Sequence, residues 1–169
     1  DLRVKVNGPE FLARIIQAGS RPVPKFVQAI KNLKLRGFKV AALTNSFQVE
    51  EAAEETATTT DGIMGLFDVI VHSHLEGCRK PEAGMYAALQ GHLDQKLGIT
   101  DPSDVIFLDD IGLNLKPAAA LGMRTIHVGR TAEGLPDADT ALEQLAAKLN
   151  IPSLSLLRDD TGPPPTARL

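Results

Sequence analysis

Three polar clusters follow apolar runs of this sequence, and their side chains suit the binding of phosphate and a metal ion. Thr44-Asn45, Lys80 and the adjacent pair Asp109-Asp110 come in that order along the chain. A hydroxyl and an amide can hold phosphoryl oxygens, a lysine offsets negative charge, and carboxylates are ligands that Mg²⁺ prefers. Such groups act by positioning and by stabilising charge. The set therefore predicts phosphoryl chemistry with Mg²⁺ as the cofactor.

Each cluster also has an ordinary structural explanation. Thr44-Asn45 could be turn residues, because asparagine tolerates left-handed backbone geometry. Lys80 could be a solvated surface lysine, which is the usual state of this residue type. The acid pair is harder to explain in this way, because two adjacent carboxylates at the end of a buried strand repel each other. The ordinary alternative for that pair is helix capping by one of the two aspartates.

The elements that must position these clusters alternate between apolar runs of strand length and longer segments of helical period. This order favours strand–helix units and a mostly parallel, buried sheet, in which ligands bind at the carboxyl ends of the strands. The predicted strands cover residues 38–43, 69–71, 105–108 and 125–128. The predicted helices cover residues 21–36, 48–60, 81–97, 115–121 and 139–149, and residues 72–79 are predicted as a polar loop.

Bulk composition limits the class of protein. The 169 residues carry a net charge of −3, with 18 basic and 21 acidic residues well mixed, so no nucleic-acid partner is predicted. No apolar stretch is long enough to span a membrane, and the first ten residues lack the pattern of a signal peptide. The single cysteine, Cys78, excludes an internal disulfide and fits a reducing compartment, so we expect a cytoplasmic protein.

Three stretches resemble motifs of a known family. They are VAALTNS (40–46), GCRKPEAGMY (77–86) and VIFLDDIGLNLKPAAALGMRTIHV (105–128). They look like the second, third and fourth motifs of the haloacid dehalogenase superfamily. The likeness is strongest to the N-terminal phosphatase domain of soluble epoxide hydrolase and to a similar domain of some acyl-CoA dehydrogenase family proteins. The resemblance implies an α/β fold with a Rossmann-like parallel sheet and flanking helices.

The resemblance also implies roles for single residues. Thr44 and Asn45 would bind the phosphoryl oxygens, and Lys80 would neutralise the nucleophile and the phosphorylated intermediate. Asp110 would coordinate Mg²⁺, and Asp109 would orient Lys80 or the metal, so both aspartates are candidate metal ligands. The substrate would be a small phosphorylated metabolite or a lipid phosphate.

The order of the motifs excludes a related arrangement. Receiver domains of two-component systems also use aspartate, threonine and lysine, but there the acid pair comes first and the lysine last. In this sequence the acid pair comes last. The resemblance also places Gly112 and Asn114, which follow the acid pair, in the turn beside the site.

The first motif of the family is Asp-x-Asp directly after a central strand, and no aspartate considered in this sequence fits that setting. Its first aspartate would attack phosphorus. Asp1 has no strand before it, Asp61 follows a threonine run, and Asp68 begins a strand instead of ending one. Only 43 residues precede Thr44, where the family has both this motif and a helical cap domain.

These observations predict the domain organisation. We expect residues 1–20 to be a remnant of the cap and residues 21–150 to be a partial core that lacks its central first strand. Residues 151–169 are expected to be a disordered tail, and the full-length protein is expected to have a further domain. Without the first strand, its two neighbours would have unpaired edges. Residues 2–6 alternate apolar and basic side chains, so as a central strand they would bury two cations.

Three functions remain open at this point. The first is Mg²⁺-dependent hydrolysis of a phosphate ester by the complete protein, with this chain inactive because it lacks the nucleophile. The second is a non-catalytic relic or binding module that keeps the residues of the phosphate site. The third is a hydrolase of the haloacid dehalogenase type, which the acid pair disfavours because dehalogenation needs no Mg²⁺.

Overall fold

The structure is a computed structural model that describes residues 22–46, 63–152 and 157. It has an α/β fold in which helices alternate with short parallel strands. No helix within these ranges is long and apolar enough to cross a membrane. In chain order, the elements are α1 (Pro24–Leu35), β1 (Ala41–Thr44), β2 (Val69–His72), α2 (Ser73–Glu76), α3 (Ala83–Leu97), a 3-10 turn (Pro102–Asp104), β3 (Ile106–Asp109), α4 (Gly112–Ala120), β4 (Arg124–His127) and α5 (Ala138–Leu149).

Local sequence explains where several helices begin and end. Pro24 lies in the first turn of α1, where its missing N–H costs no hydrogen bond. Gly37 follows α1 and Gly98 ends α3, both with the positive φ that glycine adopts without strain. Asp137 caps α5 by accepting the backbone N–H of Thr140.

Some boundaries differ from the predictions. Residues 73–76 form helix α2 inside the predicted polar loop, because a helix of one turn leaves no periodic apolar signal. Helix α3 begins at Ala83 instead of Pro81, after a cis Lys80–Pro81 peptide bond. Helix α4 begins at Gly112, earlier than the predicted start at residue 115. Glycine has a low helix propensity, so the sequence did not indicate this start. The turn in which Asp109 accepts the Ile111 N–H imposes it. The predicted helix 48–60, the cap remnant 1–20 and most of the tail 151–169 lie outside the described residues.

The four described strands form two parallel pairs. β1 pairs with β2 from Ala41–Val69 to Thr44–His72, and β3 pairs with β4 along their whole length. Among the described residues, β1 and β3 do not pair with each other. The prediction that these two strands lack a shared central neighbour is not tested by this pairing and stays a prediction.

Helices cover the strands on two faces and hold the two pairs together. The first apolar cluster joins α1 and α5 to β4, and it comprises Ala29, Leu33, Ile126, Val128, Ala141, Leu142, Leu145 and Ala146. The second cluster joins α3 and α4 to β2 and β3, and it comprises Val69, Val71, Met85, Tyr86, Leu89, Leu93, Phe107, Ala118 and Met123. Each cluster contains residues from the part of the chain around β1 and β2 and from the part around β3 and β4. Burial of apolar surface in the helical layers therefore links the two strand pairs.

Candidate active site

A lysine and an aspartate form a largely buried ion pair at the carboxyl end of β3. Lys80 Nζ lies 2.8 Å from Asp109 Oδ2, and the two side chains are 14% and 4% exposed. The ammonium group also lies 5.8 Å from the centroid of the Phe107 ring. A buried charge needs a close partner of opposite sign, so each of these two residues depends on the other.

The second oxygen of Asp109 organises the start of α4. Asp109 Oδ1 accepts the backbone N–H of Ile111 at 2.8 Å and the side-chain amide of Asn114 at 2.9 Å. Both carboxylate oxygens therefore have protein donors. The geometry makes Asp109 a residue that holds Lys80 and the β3–α4 turn in place.

A buried tyrosine extends this network to α3. The Tyr86 hydroxyl donates to the Asn114 carbonyl oxygen at 2.6 Å, and its ring contacts Phe107 edge to face. Burial, assisted by the negative charge of Asp109, raises the pKa of Tyr86 to about 12. Nothing in the sequence indicated this contact between Tyr86 and Asn114.

Asp110 has the opposite environment. Its side chain is 46% exposed, and its Oδ2 lies 3.0 Å from Nη2 of the exposed Arg130. His127 Nε2 contacts the backbone carbonyl of Asp110 at 3.1 Å. An exposed ion pair of this type contributes little stability. Because its side chain is 46% exposed, the Asp110 carboxylate stays accessible to a cation. Sequence reasoning did not identify Arg130, because neither spacing nor periodicity links it to Asp110.

Asn45 connects the first strand pair to the lysine loop. Its Nδ2 donates to the Lys80 carbonyl oxygen at 3.1 Å, and its Oδ1 accepts the Lys80 N–H at 2.9 Å. These two bonds hold the lysine backbone beside the end of β1, where Thr44 is the last, half-buried residue. The structure therefore brings Asn45, Lys80 and Asp109 together, although their segments are far apart in the sequence.

A hollow of about 280 Å³ lies next to this edge, with Asn45, Cys78 and Arg79 among its lining residues. Ser46 Oγ is 2.8 Å from His74 Nδ1 and 3.3 Å from His72 Nδ1, and its backbone N–H donates to Ser73 Oγ. The two histidines therefore share a serine partner. The motif comparison included Ser46 but assigned it no role.

The described residues offer few metal ligands. Within residues 22–46, 63–152 and 157, no group of three or more His, Cys, Asp or Glu side chains could hold a metal. Mg²⁺ is commonly held by one or two carboxylates together with water and phosphate oxygens. The accessible carboxylate of Asp110 fits that requirement, whereas Asp109 fits less well because both of its oxygens accept hydrogen bonds.

One Asp-x-Asp sequence does occur among the described residues, at positions 137–139. Asp137 caps α5, and Asp139 forms an exposed ion pair with Lys25. Hydrogen bonds from Thr140 hold the pKa of Asp137 below its ordinary value. The pair begins a helix instead of following a strand, so helix capping and a surface ion pair account for it.

Comparison with known proteins identifies the family. The model for haloacid dehalogenase-like hydrolases matches residues 3–122, which is more than half of the chain. The chain therefore belongs to the haloacid dehalogenase-like hydrolase family, and the predicted resemblance is confirmed.

Curated relatives agree with this assignment. The chain is 37% identical over 133 residues to acyl-CoA dehydrogenase family member 10 of Mus musculus, which covers 79% of this chain and 11% of that protein. It is 32% identical over 139 residues to bifunctional epoxide hydrolase 2 of Sus scrofa, with 82% and 22% covered. It is 28% identical over 113 residues to enolase-phosphatase E1 of Saccharopolyspora erythraea, with 67% and 45% covered. The chain thus spans less than half the length of each of these relatives.

A solved structure shows the same fold. L-2-haloacid dehalogenase from Xanthobacter autotrophicus superposes with a TM-score of 0.53 at 24% identity, and the match covers 92% of this chain and 60% of that one. At this identity the likeness concerns the fold, which agrees with the predicted α/β class with parallel strands and flanking helices.

Proposed function

We propose that this chain carries the phosphate- and metal-binding part of a Mg²⁺-dependent phosphate-ester hydrolase. The observation that carries the proposal is the meeting of Asn45, Lys80 and Asp109 at one edge of the strands, with the exposed Asp110 beside them. Membership of a hydrolase family and a relative named as a phosphatase support this reaction class. The substrate would be a small phosphorylated metabolite or a lipid phosphate.

The contacts suggest a division of roles among these residues. Lys80 would offset the negative charge of the phosphoryl group, while Asp109 keeps its ammonium group in place. The Asn45 amide is already bonded to the Lys80 backbone, so Thr44 would be the more direct phosphate ligand. Asp110 would be a carboxylate ligand of Mg²⁺, which when bound would neutralise and orient the phosphoryl oxygens.

The described residues do not supply a nucleophile for the hydrolysis. No described strand is followed by Asp-x-Asp, and Asp109 is committed to Lys80, Ile111 and Asn114. We therefore propose that these 169 residues bind phosphate and metal without turning over a phosphate ester. The same observation favours a second candidate function, the binding of a phosphorylated ligand by a module that never performs the hydrolysis.

The test combines turnover with binding in the purified chain. We expect inorganic phosphate and Mg²⁺ together to raise the melting temperature of the chain, and this shift to be lost in Asp110→Ala. We expect the natural sequence to hydrolyse p-nitrophenyl phosphate no faster than the Asp110→Ala variant does. Turnover that Asp110→Ala abolishes would contradict the proposed lack of a nucleophile. The absence of any Mg²⁺-dependent shift would contradict the phosphate site itself.

A further inference from the structure

The loop between β4 and α5, residues 128–137, contains a tight hairpin that presents an arginine to the acid pair. Arg130 and Pro136 form an isolated antiparallel bridge across the hairpin. The Thr131 N–H donates to the Leu135 carbonyl oxygen at 2.8 Å inside the same turn. Because these contacts join the two arms of the loop, they fix the backbone from which the Arg130 side chain extends.

The Arg130 guanidinium group is held at two points. Its Nη1 donates to the Gly134 carbonyl oxygen at 3.0 Å, and its Nη2 donates to Asp110 Oδ2 at 3.0 Å. The first bond lies within the hairpin, so the guanidinium group keeps this anchor when its bond to Asp110 is broken. A guanidinium group has five N–H donors, and the Arg130 side chain is 60% exposed. Donors therefore remain for an incoming anion.

The charges of the site favour a role for this arginine in binding phosphate. Lys80 and Asp109 balance each other, as do Arg130 and Asp110. A phosphate ester carries a charge of about −2 at neutral pH, which a bound Mg²⁺ would balance. With Arg130 the whole set is neutral, whereas without it the set has an excess of negative charge. The arginine therefore supplies the positive charge that the Asp110 carboxylate would otherwise leave uncompensated.

We propose that Arg130 is a further phosphate-binding residue, which exchanges its bond to Asp110 for a bond to a phosphoryl oxygen when Mg²⁺ binds. This inference rests on the proposed function, because it requires Mg²⁺ and phosphate at this edge of the strands. A cation at Asp110 weakens the attraction between that carboxylate and the arginine. The planar guanidinium fork suits phosphate oxygens and stays charged at neutral pH.

The exchange couples the two ligands. Mg²⁺ would release the Arg130 donors for phosphate, so bound metal should tighten the binding of phosphate. By thermodynamic reciprocity, bound phosphate should tighten the binding of Mg²⁺ by the same factor. Removal of Arg130 should therefore reduce this coupling as well as the affinity.

The first test is a calorimetric titration of inorganic phosphate into the whole chain and its Arg130→Leu variant. With saturating Mg²⁺ we expect the variant to bind phosphate at least about fivefold more weakly, because a charge-assisted hydrogen bond is lost. Without Mg²⁺ the difference should be less than about twofold, since Arg130 is then bonded to Asp110. Lys25→Leu also removes one exposed positive charge and should change neither affinity.

The second test titrates Mg²⁺ in the absence and in the presence of saturating phosphate. Without phosphate, Arg130→Leu should bind Mg²⁺ more tightly than the natural sequence, because a competitor for Asp110 is gone. With phosphate, the same variant should bind Mg²⁺ about twofold more weakly, because the arginine then supports the bound anion. The same gain under both conditions would show that Arg130 only competes with the metal, and it would overturn the proposal.

A matched pair of variants at Gly134 tests whether the hairpin positions the arginine. Gly134 has a φ of 79°, and a Cβ atom at this position would meet no atom within 4 Å. Backbone conformation alone therefore decides which residues fit, and asparagine adopts positive φ far more readily than valine. We expect Gly134→Val to weaken Mg²⁺-dependent phosphate binding by about two- to threefold, with little change in Gly134→Asn. Equal affinities in both variants would contradict this role of the hairpin.

The outcomes separate this inference from the proposed function. If Mg²⁺ tightens phosphate binding in the natural sequence and equally in Arg130→Leu, the role of Arg130 is wrong and the proposed function stands. If the natural sequence binds no phosphate, the proposed function fails, and the role of Arg130 fails with it. An effect of Arg130→Leu on the binding of phosphoglycolate, but not of inorganic phosphate, would assign the arginine to a second acidic group of the substrate and overturn the proposal.

Discussion

Asp109 and Asp110 are neighbours in the sequence but occupy opposite environments. Asp109 is buried, and its two oxygens accept hydrogen bonds from Lys80, the backbone of Ile111 and the amide of Asn114. Asp110 is half exposed and contacts one exposed arginine. Alternation of side chains along the end of a strand directs the first residue inward and the next outward.

The difference shows how an acid pair can divide a structural and a binding task. A carboxylate whose oxygens are all bonded can position a neighbour but has little capacity for a cation, whereas an accessible carboxylate has that capacity. We therefore expect Asp109 to control stability and the position of Lys80. We expect Asp110 to control the affinity for Mg²⁺.

The largest expected effect tests the buried member of the pair. Asp109→Asn places an amide against the Lys80 ammonium group and leaves that buried charge without its partner. We expect a loss of about 3 kcal/mol in the free energy of unfolding, measured with urea at pH 7. The matched control, Asp110→Asn, should lose at most about 0.5 kcal/mol because its ion pair is exposed. Equal losses in the two variants would contradict the division of tasks.

The ionisation of Tyr86 sharpens the comparison, because this residue contacts the buried network and is the single tyrosine of the chain. Its folded pKa of about 12 exceeds the value of about 10 expected for the unfolded chain. The neutral form therefore stabilises the fold below pH 10, and about 2 kcal/mol should be lost as the pH rises towards 12. Absorbance of the phenolate should appear only above pH 11 in the folded chain. Phenolate absorbance with a midpoint near pH 10 before unfolding would show that the ring is not buried in this network.

A carboxylate at the other end of the strands provides a reference. Asp68 accepts the Val40 N–H at 2.8 Å and pairs with Lys34 at 3.0 Å. The Val40 N–H, with help from Lys34, holds the pKa of Asp68 below its ordinary value against the opposing effect of burial.

A depressed pKa means that the Asp68 carboxylate stabilises the fold above about pH 4 and that this contribution disappears as the pH falls further. Asp68→Asn should therefore cost about 1.5 kcal/mol at pH 6 and much less at pH 2.5. Urea unfolding at both values measures the difference. Phosphate binding should be unchanged at pH 7, since Asp68 lies away from the site. A cost that does not depend on pH would contradict this explanation.

Asn45 tests the exposed link to the lysine loop. Asn45→Ala removes both bonds to the Lys80 backbone, and we expect a loss of about 1 kcal/mol in the free energy of unfolding. Asn45→Asp keeps the acceptor for the Lys80 N–H but loses the donor, so its loss should be about half as large. If Asn45→Ala leaves both stability and phosphate affinity unchanged, the bonds seen in the structure do not position Lys80.

The smallest expected effect concerns the exposed member of the acid pair. Arg130 competes with a cation for the Asp110 carboxylate, so Arg130→Leu should increase the affinity for Mg²⁺ by about two- to threefold. Calorimetric titration of Mg²⁺ measures this change. Lys25→Leu, which removes another exposed ion pair, is the control and should leave the affinity unchanged. A weaker affinity in Arg130→Leu would mean that the arginine supports the site.

Much of this arrangement was predictable from sequence. The alternation of apolar runs and helical segments predicted parallel strands, and the polar residues at the ends of those runs predicted that Asn45, Lys80 and Asp109 would lie at one edge. The motifs predicted that Lys80 and Asp109 belong together, and the structure places them 2.8 Å apart. These features depend on periodicity and on local motif order, which a single sequence contains.

Other features depend on contacts that leave no such signal. Arg130 meets Asp110 through the path of the loop after β4, and Asn45 bonds to the backbone of Lys80, which any residue type would offer. Helix α2 is too short for a periodic pattern. The sequence also did not show which of Asp109 and Asp110 is buried and which is exposed, because adjacent identical residues give no indication of which one faces inward.

The most direct test of the account is a calorimetric titration of inorganic phosphate into the chain, with and without Mg²⁺, for the natural sequence, Asp110→Asn and Lys80→Met. We expect Mg²⁺ to tighten phosphate binding in the natural sequence, with no such effect in Asp110→Asn. We expect Lys80→Met to weaken binding by about tenfold or more whether or not Mg²⁺ is present. Phosphate binding that is absent, or that is the same in all three proteins, would contradict a phosphate and metal site built from Lys80 and Asp110.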